Sequence, residues 1–234
     1  MAGSNDDELI MFLIKTLKSK YVADTMKKGR FCFNHPAVFN KWENKSAAQY
    51  DRWDAHSAHN ATHLMYFPII GEKDGFPVYG KGNKFADKAI VRIQTKEVQQ
   101  MPICCFRMVE EHEVHHYPGG IEFSLGDDAD RIASEFEHDA YVMIEANPFL
   151  HRLQGKHVCF AGPIVYKDTT NDYEFDVPEQ YKDIAEQLFR KDAQYAWQKE
   201  YRIALMPSDN TPVFIELGSI EDIAISGMLS DLRK

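Results

Sequence analysis

A chain of 234 residues with 44% hydrophobic and 27% charged side chains has enough apolar surface to offset the entropy of its own ordering, which excludes a largely disordered protein. Its formal net charge of −9 repels a phosphate backbone, so nucleic acid is disfavoured as a partner, while a local basic pocket for a small phosphate ligand stays open. The four cysteines, Cys32, Cys104, Cys105 and Cys159, lack C-x-x-C spacing and read as free thiols, not as a zinc or disulfide framework.

Ser4 caps a predicted helix that carries Leu9, Phe12, Leu13, Leu17 and Tyr21 at helical spacing and stops near Gly29 after Lys27 and Lys28. Residues 30–33 read as a short strand closed by Asn34-His35-Pro36, and residues 39–63 are polar, aromatic and histidine-rich. Gly71, Gly75, Gly80 and Gly82 with Pro68 and Pro77 make residues 67–88 a loop or hairpin region. Strands are predicted at 89–95 and 102–109, the second apolar enough to be central, then a turn at Pro118-Gly119-Gly120 and a short strand at 121–125. An acid-rich helix follows over 127–137, then a strand at 141–145, a turn or helix from Asn147-Pro148 and a strand over 158–166 interrupted at Gly162-Pro163. Asp176 and Pro178 start a helix bearing Tyr181, Ile184, Leu188 and Phe189 on one face, and a final hairpin joins 200–206 to 212–217.

With no linker and no internal repeat, these elements predict one domain over 1–234 of mixed α/β (α+β) class, a central, mostly antiparallel sheet with flanking helices. No segment reaches the roughly 20 apolar residues of a membrane span. The acids Asp6, Asp7 and Glu8 before the first apolar run are unlike a signal peptide, so a cytoplasmic location with no membrane partner is expected.

The segment Trp197-Gln198-Lys199-Glu200-Tyr201-Arg202-Ile203 carries the most chemistry. On a strand, Gln198, Glu200 and Arg202 share one face and Tyr201, Ile203 and Leu205 the other, so an apolar face packs while an amide, a carboxylate and a guanidinium stand side by side. The structural alternative is a solvated strand face with an ordinary cross-strand ion pair. His56, His59 and His63 would share one face of a helix, and His112, His115 and His116 form a second group; without an H-E-x-x-H motif both read as surface histidines, and no metal site is assigned. Trp42, Tyr50 and Trp53 suit base stacking or a partner surface as well as core packing.

Gln198-x-Glu200 at the start of a late strand resembles the Glu/Gln-x-Glu pair of the ADP-ribosyltransferase superfamily. The resemblance implies NAD as cofactor, Glu200 as the catalytic glutamate at the nicotinamide-side ribose, and Gln198 as the residue that positions the acceptor, so the partner expected is a small-molecule dinucleotide or a protein acceptor. It also implies an early-strand cation for the dinucleotide, matched by Arg30 in Gly29-Arg30-Phe31, with Asn34 beside it and Ser124 in Glu122-Phe123-Ser124 standing for the serine-bearing strand. The segments Phe31-Cys32-Phe33-Asn34 and Lys199-Glu200-Tyr201-Arg202 are also similar to uncharacterised bacterial families found near phage genes, which implies the alternative of a non-enzymatic, phage- or defence-associated interaction protein.

Overall fold

A computed structural model describes residues 10–39, 57–60, 65–66, 69–73, 76–81, 83–84, 90–167 and 184–233. The first apolar run is strand β1 (Ile10–Leu17), where the spacing predicts a helix. Apolar residues at nearly every position satisfy both the helical and the extended templates. Burial of Leu13 and Ile14, on opposite faces, is what a strand covered on both sides requires. The helix is shorter and later, α1 (Val22–Lys28), and it ends on Gly29 in the left-handed conformation, φ 57°, whose N–H donates to Thr25 O.

Further along lie β2 (Arg30–Phe33), β3 (Ile103–Glu110), α2 (Asp127–Phe136), β4 (Ala140–Glu145) and α3 (Ala146–Gln154). They are followed by β5 (Cys159–Pro163), β6 (Val165–Lys167), β7 (Arg190–Asp192), β8 (Glu200–Leu205), β9 (Val213–Glu216) and β10 (Ala224–Met228). Six strands form an antiparallel sheet in the order β5-β8-β3-β1-β4-β10, the mixed α/β architecture with flanking helices expected from the sequence.

Register assigns the faces. Ile14 lies opposite Arg107, and Arg107 opposite Glu200, so these share one face; Leu13, Met108, Tyr201 and Phe106 share the other. On the second face, α3 and the β2–β9 ribbon pack a core around Phe31, Phe106 and Phe149, whose ring centroids lie 5.2–5.7 Å apart at tilted or edge-on angles. On the first face, α2 buries Ala129 and Ile132 against Ile14, Val109, Tyr141 and Met143. A smaller cluster of Val98, Met101, Ile103, Leu188 and Ala204 closes the β8 end.

The predicted final hairpin does not form. β8 pairs with β3 and β5, whereas β9 pairs with β2. All six residues of β8 are buried, and a strand covered on both faces gains more from two neighbours in the main sheet than from one in a ribbon. The stretch between β8 and β9 therefore crosses from one layer to the other. The predicted helix start at Asp176, Pro178 and Tyr181 lies outside the described residues; Ile184–Leu188 is helical.

Gly29 carries a stability prediction. A Cβ there would sit 2.4 Å from Gly218 O and 3.0 Å from Leu217 Cβ, on a backbone already at positive φ. The neighbours cannot withdraw without cost, because Leu217 N–H donates to Gly29 O at 3.1 Å and Gly218 N–H to Lys28 O at 3.0 Å. Gly29→Ala is expected to lose about 1–3 kcal/mol, read as a lower denaturant midpoint at unchanged m-value.

Candidate functional site

The two central strands of the sheet part company. β1 follows β4 as far as Leu17↔Ala140, but its pairing with β3 stops at Ile14↔Arg107, while β3 stays with β8 to Ile103↔Ala204. Asn34, just past β2, occupies the edge of β3 that β1 abandons: Asn34 N–H donates to Ile103 O at 3.0 Å and Ile103 N–H to Asn34 O at 2.8 Å. Lys15 reaches across the wedge, its ammonium donating to Cys105 O at 2.8 Å. The result is a cleft of about 470 Å³ between Ile14–Lys18 on one side and Ile103–Arg107 on the other.

Glu200 stands in its wall, buried, at the first position of β8. Lys199 before it takes a left-handed conformation, φ 41°, that ends the 3-10 turn Ala193–Gln198 and turns the chain into the sheet. Arg202 Nε donates to Glu200 Oε1 at 2.8 Å with Nη2 2.6 Å from the same oxygen, and Lys191 Nζ donates to Oε2 at 3.0 Å. Arg202 Nη1 reaches Leu188 O at 2.7 Å, and Lys191 also donates to Gln198 Oε1 at 2.8 Å. The Glu200 N–H donates to Tyr166 Oη at 2.8 Å. Burial pushes the Glu200 carboxyl toward neutrality, but the guanidinium and the ammonium prevail and hold it well below the usual carboxylate range. Burial, with the Glu200 charge added, pushes the Tyr166 phenol up.

The cleft is cationic in an acidic protein. Lys15, Lys18, Lys20, Arg107 and Lys191 line it with Glu200 as the one carboxylate among the lining residues. Lys18 also pairs with Glu137 at 3.3 Å, and Arg107 with Asp128 at 3.2 Å and Glu113 at 3.7 Å. Lys15 has no carboxylate partner among the described residues. Burial opposes its charge, yet the Cys104 and Cys105 sulfurs, with Cys32 behind them, leave the ammonium favoured beyond an ordinary lysine. Desolvation pushes the Cys104 thiol up, so it is no nucleophile at neutral pH.

Three lining residues, Arg107, Trp197 and Gln198, each carry a buried N–H donor without an acceptor among the described residues: Nε, Nε1 and Nε2 respectively. Buried donors without acceptors are uncommon in folded proteins. Trp197 and Phe136 lie 6.3 Å apart, Phe136 stacks on His138 at 6.0 Å, and the Arg131 guanidinium covers Trp197 at 3.8 Å, which builds an aromatic ledge along the cleft.

Of the residues expected from the sequence, Gln198, Glu200 and Asn34 line this one cleft. Arg30 does not: it pairs with Asp24 at 3.3 Å, reaches Glu216 at 4.0 Å and lies over the Phe214 ring. Ser124 is also elsewhere, its hydroxyl donating to Leu232 O at 3.2 Å and accepting from Gly126 N–H at 3.0 Å. The face shared by Glu200 and Arg202 is buried, contrary to a solvated strand face, and the segment carrying Leu188 and Lys191 meets both side chains there. Of the candidate metal ligands, His56 and His63 lie outside the described residues and Ser57–Asn60 is extended, not helical; no cluster able to hold a metal occurs among the described residues. Trp42, Tyr50 and Trp53 lie outside them too. Lys15, Thr16, His138 and Lys191 escape a reading of the sequence, although one lysine inside Ile-Met-Phe-Leu-Ile-Lys-Thr-Leu is a visible signal.

Compared with known proteins, the chain matches no family model, no curated relative and no solved structure.

Proposed function

We propose that the protein binds a nicotinamide dinucleotide in the parted sheet and cleaves its nicotinamide–ribose bond, in the manner of an ADP-ribosyltransferase. The observation that carries the reading is an ionised carboxylate, Glu200, in the wall of a cleft that is otherwise cationic, short of hydrogen-bond acceptors and edged by aromatic rings. A dinucleotide offers the complement of each: flat rings for Trp197 and Phe136, phosphate oxygens for Lys15 and Lys191, and a ribose that becomes cationic as nicotinamide leaves. The cation that meets the diphosphate is therefore Lys15, with Lys191, in place of Arg30.

Electrostatics assign the order of events. Glu200 with Lys191 and Arg202 carries one net positive charge, which opposes a developing oxocarbenium ion. Lys191 holds one carboxylate oxygen and is reached from the cleft, so a bound diphosphate competes for it. Glu200, still oriented by Arg202, then faces the ribose as part of a net-neutral pair and no longer of a cationic triad, so the opposition to the oxocarbenium ion is lifted.

Titration calorimetry with the dinucleotide tests binding. Lys15→Met is expected to weaken it by about 10- to 100-fold, the loss of one charge-assisted hydrogen bond. Release of free nicotinamide, assayed on a Glu200→Gln variant shown to be folded, tests the chemistry. No binding by the wild type, or release that survives in Glu200→Gln, overturns the reading.

A further inference from the structure

Thr16 and His138 meet at the rim of the same cleft, Thr16 Oγ1 and His138 Nδ1 sharing a hydrogen bond of 2.9 Å. One residue comes from β1 where it leaves β3, the other from the turn between α2 and β4, so the parting of the sheet brings them together. His138 Nε2 has no partner among the described residues and is not sealed from solvent. Phe136 stacks on one side of the ring. The charged groups facing it are Lys15 from β1, Lys18 just past its end, and Glu137 and Asp139 from its own turn; Glu137 is paired with Lys18, and Asp139 accepts from Ser19 N–H and Oγ–H.

We propose that His138 is the proton acceptor of this cleft, taking a proton from the water that attacks the ribose, with Thr16 as its positioning residue. This rests on the dinucleotide reading above. In this role Nδ1–H donates to Thr16 Oγ1, the tautomer that leaves a lone pair on Nε2. The water oxygen forms a bond to C1′ of the ribose as the bond from C1′ to the pyridinium nitrogen breaks. That electron pair departs with nicotinamide, which leaves neutral, and the water proton passes to Nε2; the products are nicotinamide, ADP-ribose and a proton. Burial first, then the Lys15 and Lys18 charges, lower the imidazole pKa to about 4, so the base is unprotonated throughout the neutral range. A weak base suffices here, because a water oxygen bonded to an oxocarbenium carbon is strongly acidic until it sheds its proton.

The test uses the full chain and the dinucleotide itself, with affinity measured by calorimetry and nicotinamide release followed across pH. Wild-type release is expected to be level through the neutral range and to fall in acid with the imidazole. His138→Gln is expected to keep its affinity within about twofold and lose release by about 100-fold or more. Thr16→Val is expected to lose about tenfold in release at unchanged KM, and Thr16→Ser to restore most of it. If His138→Gln does not fold, Thr16→Val decides: wild-type release in it overturns the proposal. Wild-type release in His138→Gln, with Glu200→Gln inactive, overturns the role of His138 and leaves the site reading intact. Binding without any release overturns the role of His138 as well. No binding by the wild type overturns the site reading and this proposal with it.

Discussion

Arg202→Met is expected to destabilise the protein by about 3–5 kcal/mol, the largest effect of any single change in the site. Arg202 is fully buried and makes the closest contacts to Glu200. Without it, a carboxylate stays in the sheet with Lys191 as its one cationic partner among the described residues, and Leu188 O loses the Arg202 donor. Folding free energies bear this out only if a companion variant behaves differently: Lys191→Met, Glu200→Leu and Arg202→Met together remove all three charges and keep the volume, and that combination is expected to recover most of the loss. Equilibrium denaturant unfolding of both variants is the measurement. A triple variant as unstable as Arg202→Met would mean that the charges stabilise the fold as a set; near-wild-type stability would mean that they are retained for the cleft.

Acid is the second lever. His138, its pKa lowered from 6.5 to about 4 chiefly by burial and then by Lys15 and Lys18, is neutral in the folded and unfolded states alike above its ordinary value, and there it contributes nothing. As pH falls below 6.5 the unfolded chain takes up the proton first, so stability declines through this window until the folded imidazole also titrates near 4. The full penalty is on the order of 3 kcal/mol. His138→Gln is expected to flatten unfolding free energies between about pH 6.5 and pH 4 while changing them little at pH 8. An unaltered slope in the variant would assign the acid loss to other groups. Below that window Asp24, Glu113, Asp139, Glu200 and Asp222, all held under their usual range by partners, add losses of their own as they protonate.

The elements legible in the sequence are those whose pattern is local. The central strand at 102–109, the strand at 141–145, the start of β8 and the acid-rich helix over 127–137 all lie within a residue or two of their expected places. β1 is not legible as a strand, because an unbroken apolar run fits both periodicities and only its neighbours β3 and β4 decide between them. The hairpin expected of β8 and β9 fails for a related reason: turn residues record that a chain reverses, not which layer it rejoins. β10, read from Ala-Ile-Ser-Gly-Met, has too weak an alternation to announce an edge strand.

The site divides in the same way. Gln198-x-Glu200 is contiguous and visible, and Arg202 follows on the same strand face. The ammonium groups that surround the carboxylate and the cleft belong to β7 and β1, and nothing near Lys191 or Lys15 in sequence says that they meet it. Arg30 is the right residue type on the right early strand, yet the acids nearest to it, Asp24 and Glu216, sit on α1 and β9 and claim its guanidinium.

The way β1 peels from β3 has a practical outcome for dissection. Its walls are contributed by residues 14–21, 32–34, 103–107, 132–138 and 191–200, nearly the full span of the polypeptide. A fragment beginning after β3 would lose both leaves of the wedge, and one ending before β7 would keep the leaves but lose Lys191 and Glu200 from its wall. Attempts to isolate a minimal ligand-binding piece should therefore begin from circular permutation or loop excision, with both central strands retained.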